Sequence, residues 1–245
     1  MTKSKTHKKK GAAAIITAAV LALIALFGMA ACSNAAQSGT GTDGSTALSE
    51  APFIEGGASL ILSPDKLDIK VKVITADSTP VTVEGCDKTT LTSGTETVLH
   101  AKGTLVILKG NITELTIGGL INPNKLTALN VQGLTSLQKL YCWGNQLTAL
   151  NVHGLIALQE LVCHGNRLNA EAFTKLFNDL PIRQDSDRAN CILYIEKPGF
   201  TDDNHIDFTA PPDLAAAFNN AKTKKRWVML KLSVDNKGNY NWIRL

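Results

Sequence analysis

The first 31 residues contain no aspartate or glutamate, while Lys3, Lys5, Lys8, Lys9 and Lys10 stand among the first ten. The formal charge of +4 is therefore local. Removing this stretch reduces 25 basic residues to 20 against 21 acidic ones, a net of −1. A chain without basic excess lacks the electrostatic footprint of a nucleic-acid binder, so no nucleic-acid partner is expected. The sequence also lacks a C-x-x-C pair, a G-x-S-x-G elbow and a phosphate-binding G-x-x-x-x-G-K loop. Structural zinc, an elbow serine nucleophile and a nucleotide site thus have no support. The glycine-rich run from Gly39 to Gly44 follows no strand pattern and reads as linker. His153, His164 and the His205-x-Asp207 pair have no ligand spacing, so no metal, cofactor or catalytic group is expected. The composition, 44% hydrophobic and 19% charged residues over 245 positions, is enough for a folded domain with a sizeable core.

The N-terminus carries an address. After the lysines, residues 11–31 are apolar or small apart from Thr17. This is the pattern of an export signal spanning residues 1–31; an uncleaved membrane anchor is the alternative, because the run is long enough to span a bilayer. Residues 32–50, rich in Gly, Ser, Thr and Ala, read as a flexible tether, which would hold the folded part about 25 Å from its attachment point. The four residues Met29-Ala30-Ala31-Cys32 resemble the lipobox of bacterial lipoproteins, departing from it at Met29. The resemblance implies cleavage before Cys32 and acylation of its sulfur and new amino group. That would anchor the chain to a membrane on the extracytoplasmic side of the cell envelope, with the outer membrane or cell surface favoured.

An internal repeat sets the expected fold. Residues 126–146 read LTALNVQGLTSLQKLYCWGNQ and residues 147–167 read LTALNVHGLIALQELVCHGNR; the copies are contiguous and agree at 14 of 21 positions. Within them run Leu137-x-x-Leu140-x-Cys142-x-x-Asn145-x-Leu147 and Leu158-x-x-Leu161-x-Cys163-x-x-Asn166-x-Leu168, the leucine-rich repeat frame with cysteine at the third apolar place. In such a coil the apolar residues point inward and stack on their equivalents, and the asparagine amide satisfies backbone groups at the bend. Leu126, Leu129 and Val131, with Leu150 and Val152 after them, line the opposite wall.

The flanks extend this pattern. Ile112, Leu115 and Ile117 fit half a coil, followed by an insertion near Asn122-Pro123-Asn124. Asn169 can cap a helix with the stripe Phe173, Leu176, Phe177 and Leu180, stopped by Pro181, and residues 191–195 return as a strand. Upstream, short runs at 59–62, 67–75, 81–84, 97–101 and 104–108 predict a β-rich N-terminal cap over residues 51–110. Downstream, residues 201–245 predict a C-terminal cap: a helix over 213–226 and a hairpin whose last strand carries Tyr240, Trp242 and Arg244 on one face. The expected fold is mixed α/β and β-dominated, a short leucine-rich repeat solenoid over 111–200 between these caps.

With its paired LTALNV and LxxLxC segments and its lipobox, the chain resembles leucine-rich repeat lipoproteins of spirochaetes and other oral bacteria. That resemblance implies a surface or periplasmic protein that binds other proteins and is not an enzyme. A non-adhesive envelope scaffold is the alternative.

In a leucine-rich coil, the non-leucine strand positions point to the concave, solvent-facing side. Here these are Lys139, Tyr141 and Trp143 in one copy and Glu160, Val162 and His164 in the next. All six belong to the seven places where the copies differ, and an exposed Tyr and Trp on a rigid face have the composition of a protein-binding hot spot. Cys142 and Cys163 occupy one inward position and read as small buried hydrophobes, with an inter-coil disulfide as the alternative; Cys86 and Cys191 remain unassigned. Lys222, Lys224, Lys225 and Arg226 read as favourable charges at a helix C-terminus, with a membrane-surface contact as the alternative. The oligomeric state and the identity of the partner are not encoded in any motif.

Overall fold

A computed structural model of the chain describes residues 50–119 and 123–245. The signal segment, Cys32 and the tether up to residue 49 lie outside the described residues, as do residues 120–122 of the expected insertion. Among the described residues, no helix is long and apolar enough to cross a membrane.

Thirteen strands, two α-helices and one 3-10 turn (Asp185–Asp187) make up the described chain. They are β1 (Gly57–Leu62), β2 (Asp68–Thr75), β3 (Val81–Glu84), β4 (Thr90–Leu91), β5 (Thr97–His100), β6 (Leu105–Lys109), β7 (Ile112–Thr116), β8 (Leu126–Asn130), β9 (Lys139–Tyr141), β10 (Glu160–Val162), α1 (Ala170–Asp179), β11 (Asn190–Glu196), α2 (Pro212–Thr223), β12 (Val228–Val234) and β13 (Tyr240–Arg244). The fold is β-dominated mixed α/β with two sheets and no closed barrel. One sheet is antiparallel, in the order β4-β3-β6-β1-β8. The other has eight strands in the order β13-β12-β11-β10-β9-β7-β2-β5. Its five central strands, β12 to β7, run parallel, and antiparallel strands flank them at both ends.

The parallel register follows from the repeat. Leu140 of the first copy pairs with Leu161 of the second, and the same row continues through Leu115, Cys191 and Met229. All five side chains are buried, because a period of two sends alternate residues to opposite faces and this row faces inward. The opposite-wall residues Leu126, Leu129, Val131, Leu150 and Val152 are buried as well, and one hydrophobic cluster joins both sheets to both helices. Turns repeat with the sequence: Leu134 and Leu155 each donate to the residue three back, Val131 and Val152.

An asparagine ladder ties the bends together. Asn166 accepts from the Leu147 amide at 3.1 Å and donates to the carbonyls of Cys142 and Cys163 at 3.0 and 2.9 Å. Asn145 makes the equivalent set with the Leu126 amide and the Ile117 and Cys142 carbonyls. Two further rungs, absent from the repeat frame, extend the ladder: Asn124 on the Lys70 and Ile117 carbonyls, and Asn204 on the Leu168 amide and the Cys163 and Leu193 carbonyls.

The flanking segments join the sheets that carry the repeat. β1 and β6 share a sheet with β8, while β2 pairs with β7, so residues 51–110 contribute strands to both sheets that carry the repeat. The C-terminal helix ends at Thr223, three residues short of Arg226, because Arg226 adopts a left-handed backbone (φ 63°). β12 then joins β11 in parallel, so β10-α1-β11-α2-β12 forms two successive crossovers, and only β13 completes a hairpin. α1 matches its expectation closely: Asn169 Oδ1 accepts from the Ala172 amide at 2.8 Å, and Phe173, Leu176 and Phe177 are buried. Lys222 lies in the last turn of α2, but Lys225 Nζ donates to the Asn178 and Leu180 carbonyls, capping α1 instead of its own helix.

Candidate binding groove

The register that buries Leu140 and Leu161 turns their neighbours to the other face of the eight-stranded sheet. On that face Glu114, Lys139, Glu160, Asn190 and Val228 form one level, running from β7 to β12. Thr116, Tyr141, Val162, Ile192 and Leu230 form the next, continued by Lys72 on β2 and Arg244 on β13. An open groove of about 1180 Å³ lies over this face.

The structure brings five of the six expected residues into the groove lining: Tyr141, Trp143, Glu160, Val162 and His164. Lys139 is outside it, paired with Glu114 on β7 at 2.9 Å. The cross-copy pairs stand side by side as the repeat implies, Lys139 with Glu160 and Tyr141 with Val162. Trp143 stacks on His164 with ring centroids 6.3 Å apart, and Tyr141 meets Trp143 edge-on at 5.9 Å. The Trp143 ring also lies against Gly118. A Cβ there would stand 2.6 and 2.8 Å from the indole Cε3 and Cε2, so only glycine lets the ring lie this close.

The expected solvent exposure is corrected for several of these residues. Val162 is 6% exposed and His164 4%, while Lys139, Tyr141, Trp143 and Glu160 are half-buried. The physical reason lies beyond the repeat. β11 runs on to Glu196, past the level where β10 ends, and the sheet continues into β12. Val162 therefore joins an apolar cluster with Ile192, Ile195, Leu232 and Val234, against which Tyr141, Trp143 and Leu230 pack. Apolar side chains on a solvent-side sheet face gather in this way to remove surface from water.

Burial and charge set the titration of the groove. Desolvation lowers the His164 imidazole to about 4, so it is neutral at physiological pH, and its Nδ1 is buried with no hydrogen-bond partner among the described residues. Burial first, and the Glu160 carboxylate second, push the Tyr141 phenol well up. The Glu114 carboxylate, with Glu160 on the other flank, holds the Lys139 ammonium above its ordinary value. Glu114, Lys139 and Glu160 thus alternate in charge across three adjacent strands.

No protein-family model matches the chain, and neither a curated protein nor a solved structure matches it.

Several groove residues escape a reading of the repeat. Trp242 and Arg244 were legible as sharing one face of the last strand, but that this face looks into the groove depends on β13 pairing with β12. Arg226 stood in a basic run read as helix-terminal charge. For Arg188 and Asp185, on the loop before β11, no sequence signal existed. The four cysteines Cys86, Cys142, Cys163 and Cys191 are free and buried, away from the groove. His205 is engaged locally with the Asp207 carbonyl. Among the described residues no three His, Cys, Asp or Glu side chains gather where they could hold a metal ion.

Proposed function

We propose that the chain is a lipid-anchored, extracytoplasmic leucine-rich repeat protein without catalysis of its own, which binds another protein through the groove on its parallel sheet. The observation that carries this reading is the coincidence of two patterns. Residues common to both copies are spent on the inward row and the asparagine bends. Of the six residues at the differing positions on and just after β9 and β10, five line one groove with an aromatic ledge. A largely apolar groove with Tyr and Trp, backed by a sheet, has the composition of an interface hot spot. The short run of parallel strands favours modest affinity, raised by many copies on one membrane.

The lipid anchor is supported by Cys32 and the charge and hydropathy pattern before it. The test combines both parts. Cells labelled with a palmitate analogue should yield a labelled chain, and Cys32→Ala should abolish the label and release the protein from membranes. The purified protein should capture a partner from a panel of host-matrix, plasma and envelope proteins, and Trp143→Ala with Trp242→Ala should weaken capture at least tenfold while the fold is retained. A palmitate-labelled chain that captures nothing, or whose capture ignores both tryptophans, would favour the envelope-scaffold reading.

A further inference from the structure

The groove is asymmetric, and its asymmetry specifies the chemistry of the occupant. The aromatic ledge of Tyr141, Trp143 and His164 stands on and just after β9 and β10. Several strands across stand Arg188 and Arg226, before β11 and β12, and Arg244 on β13 opposite Leu230, all exposed. Arg188 and Arg226 hold equivalent positions, two residues before β11 and two before β12, strands that pair with Asn190 opposite Val228. Both adopt left-handed backbone, with φ of 52° and 63°. At Arg188 this conformation is the C-cap of the 3-10 turn, and at Arg226 it follows the end of α2, so each arginine is carried on the turn that leads into a parallel strand.

The charges in the groove do not cancel. Its acids are Glu160, flanked by Lys139, and Asp185, 4.0 Å from Arg226. Arg188, Arg244 and Lys72 also line it and have no ion-pair partner among the described residues. Across the strands from Tyr141 to Arg244 the floor is Val162, Ile192 and Leu230.

Building on the protein-binding reading, we propose that the groove accepts an extended acidic segment of its partner: one or more Asp or Glu side chains at Arg188 and Arg244, and an aromatic or leucine side chain on the apolar floor between Trp143 and Trp242. Guanidinium groups suit carboxylates because two parallel N–H donors match the two oxygens, and the net positive groove steers an acidic segment toward itself.

Selection of random dodecapeptides on the full chain, held in detergent, tests this directly. Peptides enriched on the wild type should carry Asp or Glu within a few positions of an aromatic or leucine, at least twofold above the starting library. The double variant Arg188→Gln with Arg244→Gln, which keeps the Arg226–Asp185 contact and the floor, should lose the acidic preference. Individual acidic peptides should bind it about tenfold more weakly, and raising salt should weaken the wild type toward the variant. Enriched peptides that are neutral or basic, or the same acidic preference on both proteins, would overturn the acidic-partner inference and leave protein binding standing. No peptide enrichment on either protein, together with binding of uronate or sulfated oligosaccharides, would overturn both.

Discussion

Asn166→Ala isolates what the asparagine ladder contributes. Asn166 is 1% exposed, so the amide it loses is removed from the protein interior. Three hydrogen bonds disappear, but their consequences differ. The Leu147 amide has no acceptor besides Asn166 Oδ1 among the described residues and becomes a buried orphan. The Cys142 carbonyl keeps a second donor in Asn145 Nδ2 at 3.1 Å, and the Cys163 carbonyl keeps Asn204 Nδ2 at 2.9 Å. An orphaned buried amide costs about 2 kcal/mol and each half-satisfied carbonyl about 0.5 kcal/mol, so the variant should lose about 3 kcal/mol. Asn145→Ala should lose a similar amount. The double variant removes both side-chain donors from the Cys142 carbonyl. It should therefore exceed the sum of the singles by about 1 kcal/mol. Urea unfolding followed by circular dichroism, with Asn241→Ala on the exposed β13 as a control expected within about 0.5 kcal/mol, measures all four. A loss under about 1 kcal/mol for Asn166→Ala, or strict additivity in the double, would refute the ladder as the element that binds one bend to the next.

Gly133 and Gly154 occupy one repeat position but different surroundings. A Cβ at Gly133 would run into the Ile54 carbonyl and stand 2.8 Å from that of Gly57, whereas at Gly154 the space is open and only its φ of +81° resists a side chain. In urea unfolding Gly154→Ala should therefore cost about 1 kcal/mol and Gly133→Ala at least about 3 kcal/mol; equal losses would show that the β1 segment yields freely. The His164 imidazole is held near 4 by burial, against 6.5 when exposed, so protons favour the unfolded chain as pH falls. The stability tied to His164 is complete above pH 6.5 and is lost as pH drops toward 4, about 3 kcal/mol in all. Across that window His164→Phe should show a shallower decline in its urea midpoint than the wild type, and parallel profiles would exclude the imidazole.

Much of the interior was legible in the sequence, because it is governed by periods. The two copies imply the pairing of Leu140 with Leu161, the burial of Cys142 and Cys163 and the bends at Asn145 and Asn166, since duplicate strands paired in parallel match like with like. The stripe of α1 and its Asn169 cap were equally readable, being local hydrogen-bonding and amphipathic patterns. Within the groove, the repeat marked Tyr141, Trp143, Glu160, Val162 and His164 as the variable face.

Tertiary structure decided the rest. Asn124 and Asn204 lie outside the frame, and only the fold carries their amides to the ladder's ends. His164 and Val162 are buried because β11 and β12 extend the sheet beside them, an environment made by later segments of the chain. Arg188, Arg226 and Arg244 become one cationic rim only when two parallel crossovers and a final antiparallel strand align their ends. A sequence alone determines which side of each strand is apolar, since that alternation is a property of the local backbone. Which strand comes next, and therefore what an outward side chain meets, is fixed only by the packing of distant segments.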